Sequence, residues 1–406
     1  MKFTVEQSVL KSAIASVSSA IPERPTHPIL GCIAFKADKE ANTVSLSGFD
    51  LTYGVQVTLS DVTVEESGAA CLQAKITSTM ISKLTDETLK FSVEEVTRGG
   101  EELDTSLAEI KWSNGSLSVS VFPITEFPDI PYEDKDTFTL EIPTRNFIKA
   151  IAQISFAASS DETKQILQGI AIDRDGHSLS FTATNGHFLA TTKLVLTAEA
   201  EIPEAALKFR VVPKAEYLDK IQKIATSLKP KEDDVVTLMI GNTERSGIVF
   251  TVGSYTIYTR LLEGGYPQWQ QLIPQSFNYQ IVIDTLAFKP AIDIVLSAAE
   301  SSIQSNASKT AVLDFVQEEG GDPAILTVET LSKEVDAKQS LSVESYQTIN
   351  MRLALNCRYL MAAAKVIRTD TFQLNINMAT NPVTINPIGG EKTTILLMPV
   401  HIREEI

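Results

Sequence analysis

The chain has 406 residues, of which 43% are hydrophobic and 21% charged, and its formal net charge is −16. That length exceeds one ordinary domain, and the composition excludes a disordered or fibrous chain. The negative charge argues against a nucleic-acid partner unless a basic stripe sits on an acidic body, because phosphate neutralisation drives such binding.

The opening stretch MKFTVEQSVLKSAIASV is interrupted by Glu6, Gln7 and Lys11, so no signal-peptide core is expected. No window approaches about 18 uninterrupted apolar residues, the length of a membrane span. Cys32, Cys71 and Cys357 are odd in number and far apart. They predict buried thiols in a reducing cytoplasm rather than disulfides.

A short alternating strand begins at Phe3 and gives way to helical periodicity at Val9, Ala13, Val17 and Ala20. The loop ERPTHPILGC follows. Its Arg24 is either a solvated loop arginine or a donor to phosphate. Alternating strands come next, then a second helix near residues 75–84, more strands, and VFPITEFPDIP. The grammar then restarts at Phe138 with FTLEIPTRNFIKAIAQISFAAS, where Phe147, Ile151, Ile154 and Ala158 share a helical face, and again at Tyr279 with YQIVIDTLAFKPAIDIVLSAA. The restarts are 135 and 141 residues apart, and Phe127-Pro128 and Tyr266-Pro267 are 139 apart. Second helices are expected near residues 214–228 and 357–366. The reading is three copies of one α+β unit with two helices and antiparallel strands, at 1–136, 137–274 and 275–406.

Catalytic and metal signatures are missing: there is no CxxC, HExxH, GxGxxG or GxSxG, and the four histidines lack ligand spacing. No cofactor is expected. GGEKTT at Gly389–Thr394 resembles a phosphate loop only in part, because no helix follows it. TATNGHFLAT carries Asn185-Gly186 between alternating strands, a type I′ hairpin signal. It is either a turn alone or a surface presenting Thr184, Gly186 and His187. Lys11, Lys75, Lys83, Arg145, Lys149, Lys214, Lys220, Lys223, Lys289, Arg358 and Lys365 fall on the six expected helices, usually a solvated face. The last stretch, TTILLMPVHIREEI, sets Ile395–Met398 against Pro399 and Val400. Those side chains either dock a final strand on the core or wall a pocket.

MKFTVE, RPTHPILG, FAASSDETKQILQGI, ATNGHFLA, YPQWQQLIP and LLMPV, in this order on a threefold repeat, together resemble the bacterial beta sliding clamp family, the processivity subunit of DNA polymerase III. The resemblance covers essentially the whole chain. It implies a non-catalytic, cytoplasmic homodimer: two three-domain crescents joined head to tail around duplex DNA, with twelve helices lining the lumen. Helices packed about 9–10 Å apart would give roughly 35–38 Å across the axes. Removing one helix diameter of about 10 Å leaves roughly 25–28 Å for a duplex held without sequence preference.

By the same resemblance, Arg24, Lys75, Lys149 and Lys214 would face DNA, with Thr163, Lys164 and Gln165 in a second-domain loop. That loop is acidic at Asp161-Glu162, and Gln271 stands where the family often has arginine. Partner peptides of the polymerase, the clamp loader and other clamp-binding proteins would enter a cleft formed by Leu167, Thr184, Gly186, His187, Phe188, Leu189, Pro267, Leu272, Pro382, Leu396, Met398, Pro399 and Val400. Two or three apolar anchors at about 1.5–3 kcal/mol each, less ordering costs, imply micromolar-class binding. Departures are Phe188, where many relatives carry arginine, and His401 with the longer tail Ile402–Ile406. Ring closure would use Leu117 and Val119 against Val295 and Leu296, positions that also read as ordinary core. The alternative function is a repeat-built scaffold that docks proteins without DNA.

Overall fold

The computed structural model describes residues 1–85, 88–98, 101–132, 137–196, 207–241, 247–301, 309–317, 323–331, 335–390 and 392–401. The expected boundary after residue 136 and the tail Ile402–Ile406 lie outside them. Six α-helices are described: α1 (Gln7–Ser18), α2 (Ala74–Lys83), α3 (Thr144–Ile154), α4 (Ala215–Ser227), α5 (Thr285–Ser301) and α6 (Cys357–Val366). The chain divides into two compact units, 1–147 with 220–261, and 148–219 with 262–406.

The first unit is built on a thirteen-stranded sheet. Strand Tyr53–Leu59 pairs antiparallel with Tyr255–Thr259, Val57 opposite Tyr255 and Tyr53 opposite Thr259. Helix α1 buries Leu10, Ala13, Ile14 and Val17. Leu10 rather than Val9 completes this stripe; Val9 is only half-buried. The Gln7 side-chain amide donates to the carbonyls of Ile81 (2.6 Å) and Leu84 (3.2 Å), so the first turn of α1 satisfies the frayed end of α2. Phe91 stacks with Phe3 at 4.9 Å and Phe35 at 5.4 Å. Such pairs add about 0.5–1.5 kcal/mol each beyond burial.

The second unit carries a twelve-stranded sheet. Strand Phe188–Val195 pairs antiparallel with Thr393–Leu397, Phe188 opposite Leu397 and Leu189 opposite Leu396. In α3, Ile151 and Ile154 are fully buried, as the helical period requires. Helix α6 is capped by Asn356, whose side chain accepts from the Arg358 amide at 2.9 Å.

One rule covers both joins. In the first repeat the third strand after the first helix is Tyr53–Leu59; in the second it is Phe188–Val195. Each pairs with the third strand after the second helix of the following repeat, Tyr255–Thr259 and Thr393–Leu397 respectively. The corresponding strands left over are Lys338–Ser345 and Gly115–Phe122. Beyond their hairpin partners they meet another strand only at their last residues, Ser345 and Glu344 in one and Phe122 and Val121 in the other. Residues 338–343 and 115–120 thus keep a strand edge without a partner among the described residues.

Candidate functional site

The Asn185-Gly186 turn is held by side-chain chemistry. Asn185 Oδ1 accepts from the amides of His187 (2.9 Å) and Phe188 (3.1 Å), and the Thr184 hydroxyl donates to Phe188 O (2.7 Å). Gly186 has φ 92°, but Asn185 is not among the residues with positive φ. The expected type I′ turn, which needs positive φ at both positions, is therefore corrected to an Asx-stabilised loop. Asp50 does the same work in the first unit, accepting from the amides of Thr52 (2.7 Å) and Tyr53 (2.6 Å).

The last described residues lie against this hairpin. The Met398 amide donates to His187 O at 3.1 Å and the Val400 amide to Ala354 O at 2.8 Å. The stretch after Leu397 is tied down at these two points. Behind the strand, Leu189 and Leu396 are buried with Ala171, Val212, Tyr266 and Trp269. The Tyr266 hydroxyl donates to Thr182 O at 3.0 Å, and burial pushes its ionisation above the usual tyrosine range. Trp269 Nε1 donates to Asp173 Oδ2 at 3.1 Å, and Asp173 also receives the Arg210 guanidinium. These bonds fix the YPQWQQL segment that carries Pro267 and Leu272.

Exposure sorts the expected cleft residues into two layers. Thr184, Phe188, Leu189 and Leu396 are buried and shape the wall from behind. Leu167, Pro267, Pro382, Pro399 and Val400 are half-buried, and Gly186, His187, Leu272 and Met398 are exposed. Leu272 at 50% and Met398 at 44% leave apolar surface in water that a ligand could cover. Pro399 and Val400 line a cavity of about 240 Å³ together with Arg352, Leu353, Ala379 and Thr380.

Sequence reasoning missed Tyr359 and Phe156. The Phe188 ring lies 4.5 Å from Tyr359 and 5.6 Å from Phe156, and His187 stacks on Tyr359 at 6.4 Å. The signal was present: Phe188 is an apolar replacement in the cleft, and an apolar ring needs apolar neighbours. Tyr359 sits on α6 beside Arg358, on a helix read for its charges.

Arg24, Lys75, Lys149, Thr163, Lys164 and Gln165 are exposed. Lys214 precedes α4 instead of lying on it, and its ammonium is 3.1 Å from Glu216 and 5.5 Å from the Tyr217 ring centre. Asp161 shapes its loop: hydrogen bonds from the Thr163 hydroxyl (2.7 Å) and amide (3.0 Å) hold its carboxyl below the usual value, with Lys164 contributing less.

Of the expected closure residues, Leu117 and Leu296 are half-buried and Val119 is 7% exposed. Val295 is fully buried, which corrects its assignment: it holds α5 on its own sheet and offers no surface to another chain. The exposed apolar face of α5 is Leu286 and Ile294, two turns apart on one side. Among the described residues no cluster of His, Cys, Asp or Glu could hold a metal, and no helix is long and apolar enough to cross a membrane.

Family models for the DNA polymerase III beta subunit match in sequence order: the N-terminal domain over residues 1–131, the central domain over 141–268 and the C-terminal domain over 270–401. The beta sliding clamp of Synechocystis sp. is 30% identical, covering 99% of this chain and 100% of that protein, and that of Synechococcus elongatus is 29% identical with the same coverage. The crystal structure of the Bacillus subtilis sliding clamp superposes with a TM-score of 0.83 at 25% identity, covering 99% of both chains. Three clamp domains, six helices and two large antiparallel sheets, matched from end to end, establish that this chain belongs to the beta sliding clamp family of DNA polymerase III beta subunits.

Proposed function

We propose that the protein is a non-catalytic, cytoplasmic sliding clamp that closes head to tail with a second copy around duplex DNA and tethers the replicative polymerase, the clamp loader and other peptide-bearing partners. Its domains are 1–136, 137–274 and 275–406. The observation that carries this reading is the strand-joining rule, used twice within the chain and left open once. A copy that offers residues 338–343 in one unit and residues 115–120 in the other has two different edges that can pair head to tail with those of a second copy, a heterologous contact that gives a ring when the rotation closes. Leu117 and Val119 on the one strand and Leu296, with Leu286 and Ile294, on α5 supply the apolar contacts beside it. An exposed edge strand is otherwise an aggregation hazard, so pairing it with a second copy also explains how it is tolerated.

Arg24, Lys75, Lys149, Thr163, Lys164, Gln165 and Lys214 meet the phosphates, weakly and without reading bases. The cleft is the thirteen-residue set from Leu167 to Val400, with Leu272 and Met398 as the exposed apolar contacts and Tyr359 added. Met398, flexible and polarisable, accommodates different ligands. The test loads the protein on nicked circular DNA and then linearises the circle. A clamp stays on the circle and is lost after the cut. Equal retention on both forms would support a docking scaffold that uses no encirclement.

A further inference from the structure

The two joins are built around the same turn. In each, the side chain of the first turn residue holds the amides that follow: Asp50 Oδ1 accepts from Thr52 and Tyr53, and Asn185 Oδ1 from His187 and Phe188. In each, the amide of that residue donates across the turn, Asp50 to Tyr53 O at 3.1 Å and Asn185 to Phe188 O at 3.4 Å. The residue that follows the joining strand then ties back to the turn. The Arg260 amide donates to Thr52 O at 2.8 Å, as the Met398 amide does to His187 O at 3.1 Å. Tyr53 lies opposite Thr259 and Phe188 opposite Leu397, so the two frameworks correspond bond for bond. Leu51 therefore stands where Gly186 does, and Arg260 where Met398 does.

The shared framework does not account for the difference at these two positions. Leu51 adopts the left-handed backbone that Gly186 adopts, φ 75° against 92°. A leucine is strained there, whereas glycine is not. The turn thus favours glycine at both joins, yet tolerates a side chain at one. Leu51 is 52% exposed, so burial in the core does not offset the strain. Strain held at an exposed turn points to a task at that position rather than to the fold.

We propose that these two positions decide which join takes a peptide: Gly186 and Met398 admit one at the second, and Leu51 and Arg260 keep one from the first. Gly186 adds no side chain over its turn, and Met398 offers exposed apolar surface beside it. At the first join a branched side chain stands on the turn, and the exposed residue after the strand is a cation. An apolar anchor laid there would have to take a guanidinium out of water, which costs free energy. This inference rests on the cleft described under Proposed function and adds a stoichiometry to it, one peptide per chain.

The experiment counts bound peptide by calorimetric titration of the full chain with a polymerase-derived peptide that carries apolar anchors. The unaltered chain should take one equivalent. G186L and M398R, which copy the first join into the second, should each lower affinity at least tenfold, with the thermal midpoint reporting that the fold persists. M398R changes an exposed side chain and keeps the test open if G186L disturbs its turn. L51G/R260M, which copies the second join into the first, should keep the original equivalent and add a second, weaker one. Unchanged affinity in M398R and G186L, a single equivalent in L51G/R260M, or two equivalents on the unaltered chain would overturn this proposal and leave the cleft reading standing. No binding to the unaltered chain would overturn both.

Discussion

The rings of Phe188 and Tyr359 meet at 4.5 Å, centre to centre and tilted by 31°, and so join the Asn185 hairpin to α6. Phe188 is 4% exposed. Replacing it with alanine should cost about 3–5 kcal/mol of stability, the usual range for a buried phenylalanine, measured by chemical denaturation. F188L should recover most of that stability while leaving Tyr359 without its aromatic neighbour. If the stack sets the cleft wall, partner-peptide affinity stays reduced in F188L although the fold is restored.

Removing residues from Met398 onward deletes the two backbone bonds to His187 and Ala354 and would remove one wall of the proposed cleft. Binding of a polymerase-derived peptide should be lost in a fluorescence titration while the dimer persists in sedimentation. Unchanged peptide affinity would show that the wall lies elsewhere.

Lys75 is exposed on α2, whereas Lys214 is already engaged with Glu216. Each phosphate contact contributes up to about one unit to the slope of log affinity against log salt. K75A should therefore lower the slope of DNA association more than K214A. The reverse order, or no change in either, would contradict the assignment.

Leu286 is 76% and Ile294 46% exposed in the single chain. The double change L286D/I294D should leave the thermal midpoint of the monomer nearly unchanged, because surface substitutions usually move stability by no more than about 0.5 kcal/mol. It should shift sedimentation from dimer to monomer.

Burial pushes the Cys32 thiol up to about 11 and those of Cys71 and Cys357 to about 12, from 9.0. Thiols in the unfolded chain ionise first, so above pH 9 the unfolded state binds fewer protons and stability falls as pH rises toward 12. Below pH 9 this contribution is constant. A thiol reagent at pH 8 should leave the native cysteines unmodified and react with all three on unfolding.

The helices and repeats were legible because burial at 3.6-residue spacing writes itself into the sequence: Phe147, Ile151 and Ile154 are buried as their spacing implies. The joins between repeats were not, since strand partners more than 190 residues apart leave no local trace, as with Tyr53 and Thr259. Val295 misled for a related reason. On α5 the inward and outward apolar residues are interleaved, and only the structure separates buried Val295 from exposed Ile294. The loop of Asp161 reads as acidic, and what the sequence does not display is that its carboxylate also holds the loop by accepting from Thr163, bonds that favour the ionised form. Tyr359 was hidden because its contact is with a hairpin 171 residues earlier in the chain.

The strand-joining rule has a direction. Every seam runs from the strand following a first helix to the strand following a second, and never the other way. In the proposed ring, two copies closed under that rule would be related by rotation about the axis of the hole, so the assembly would have a front and a back. Both proposed peptide clefts would then open on the same side, and enzymes docked in them would travel along the duplex facing the same way.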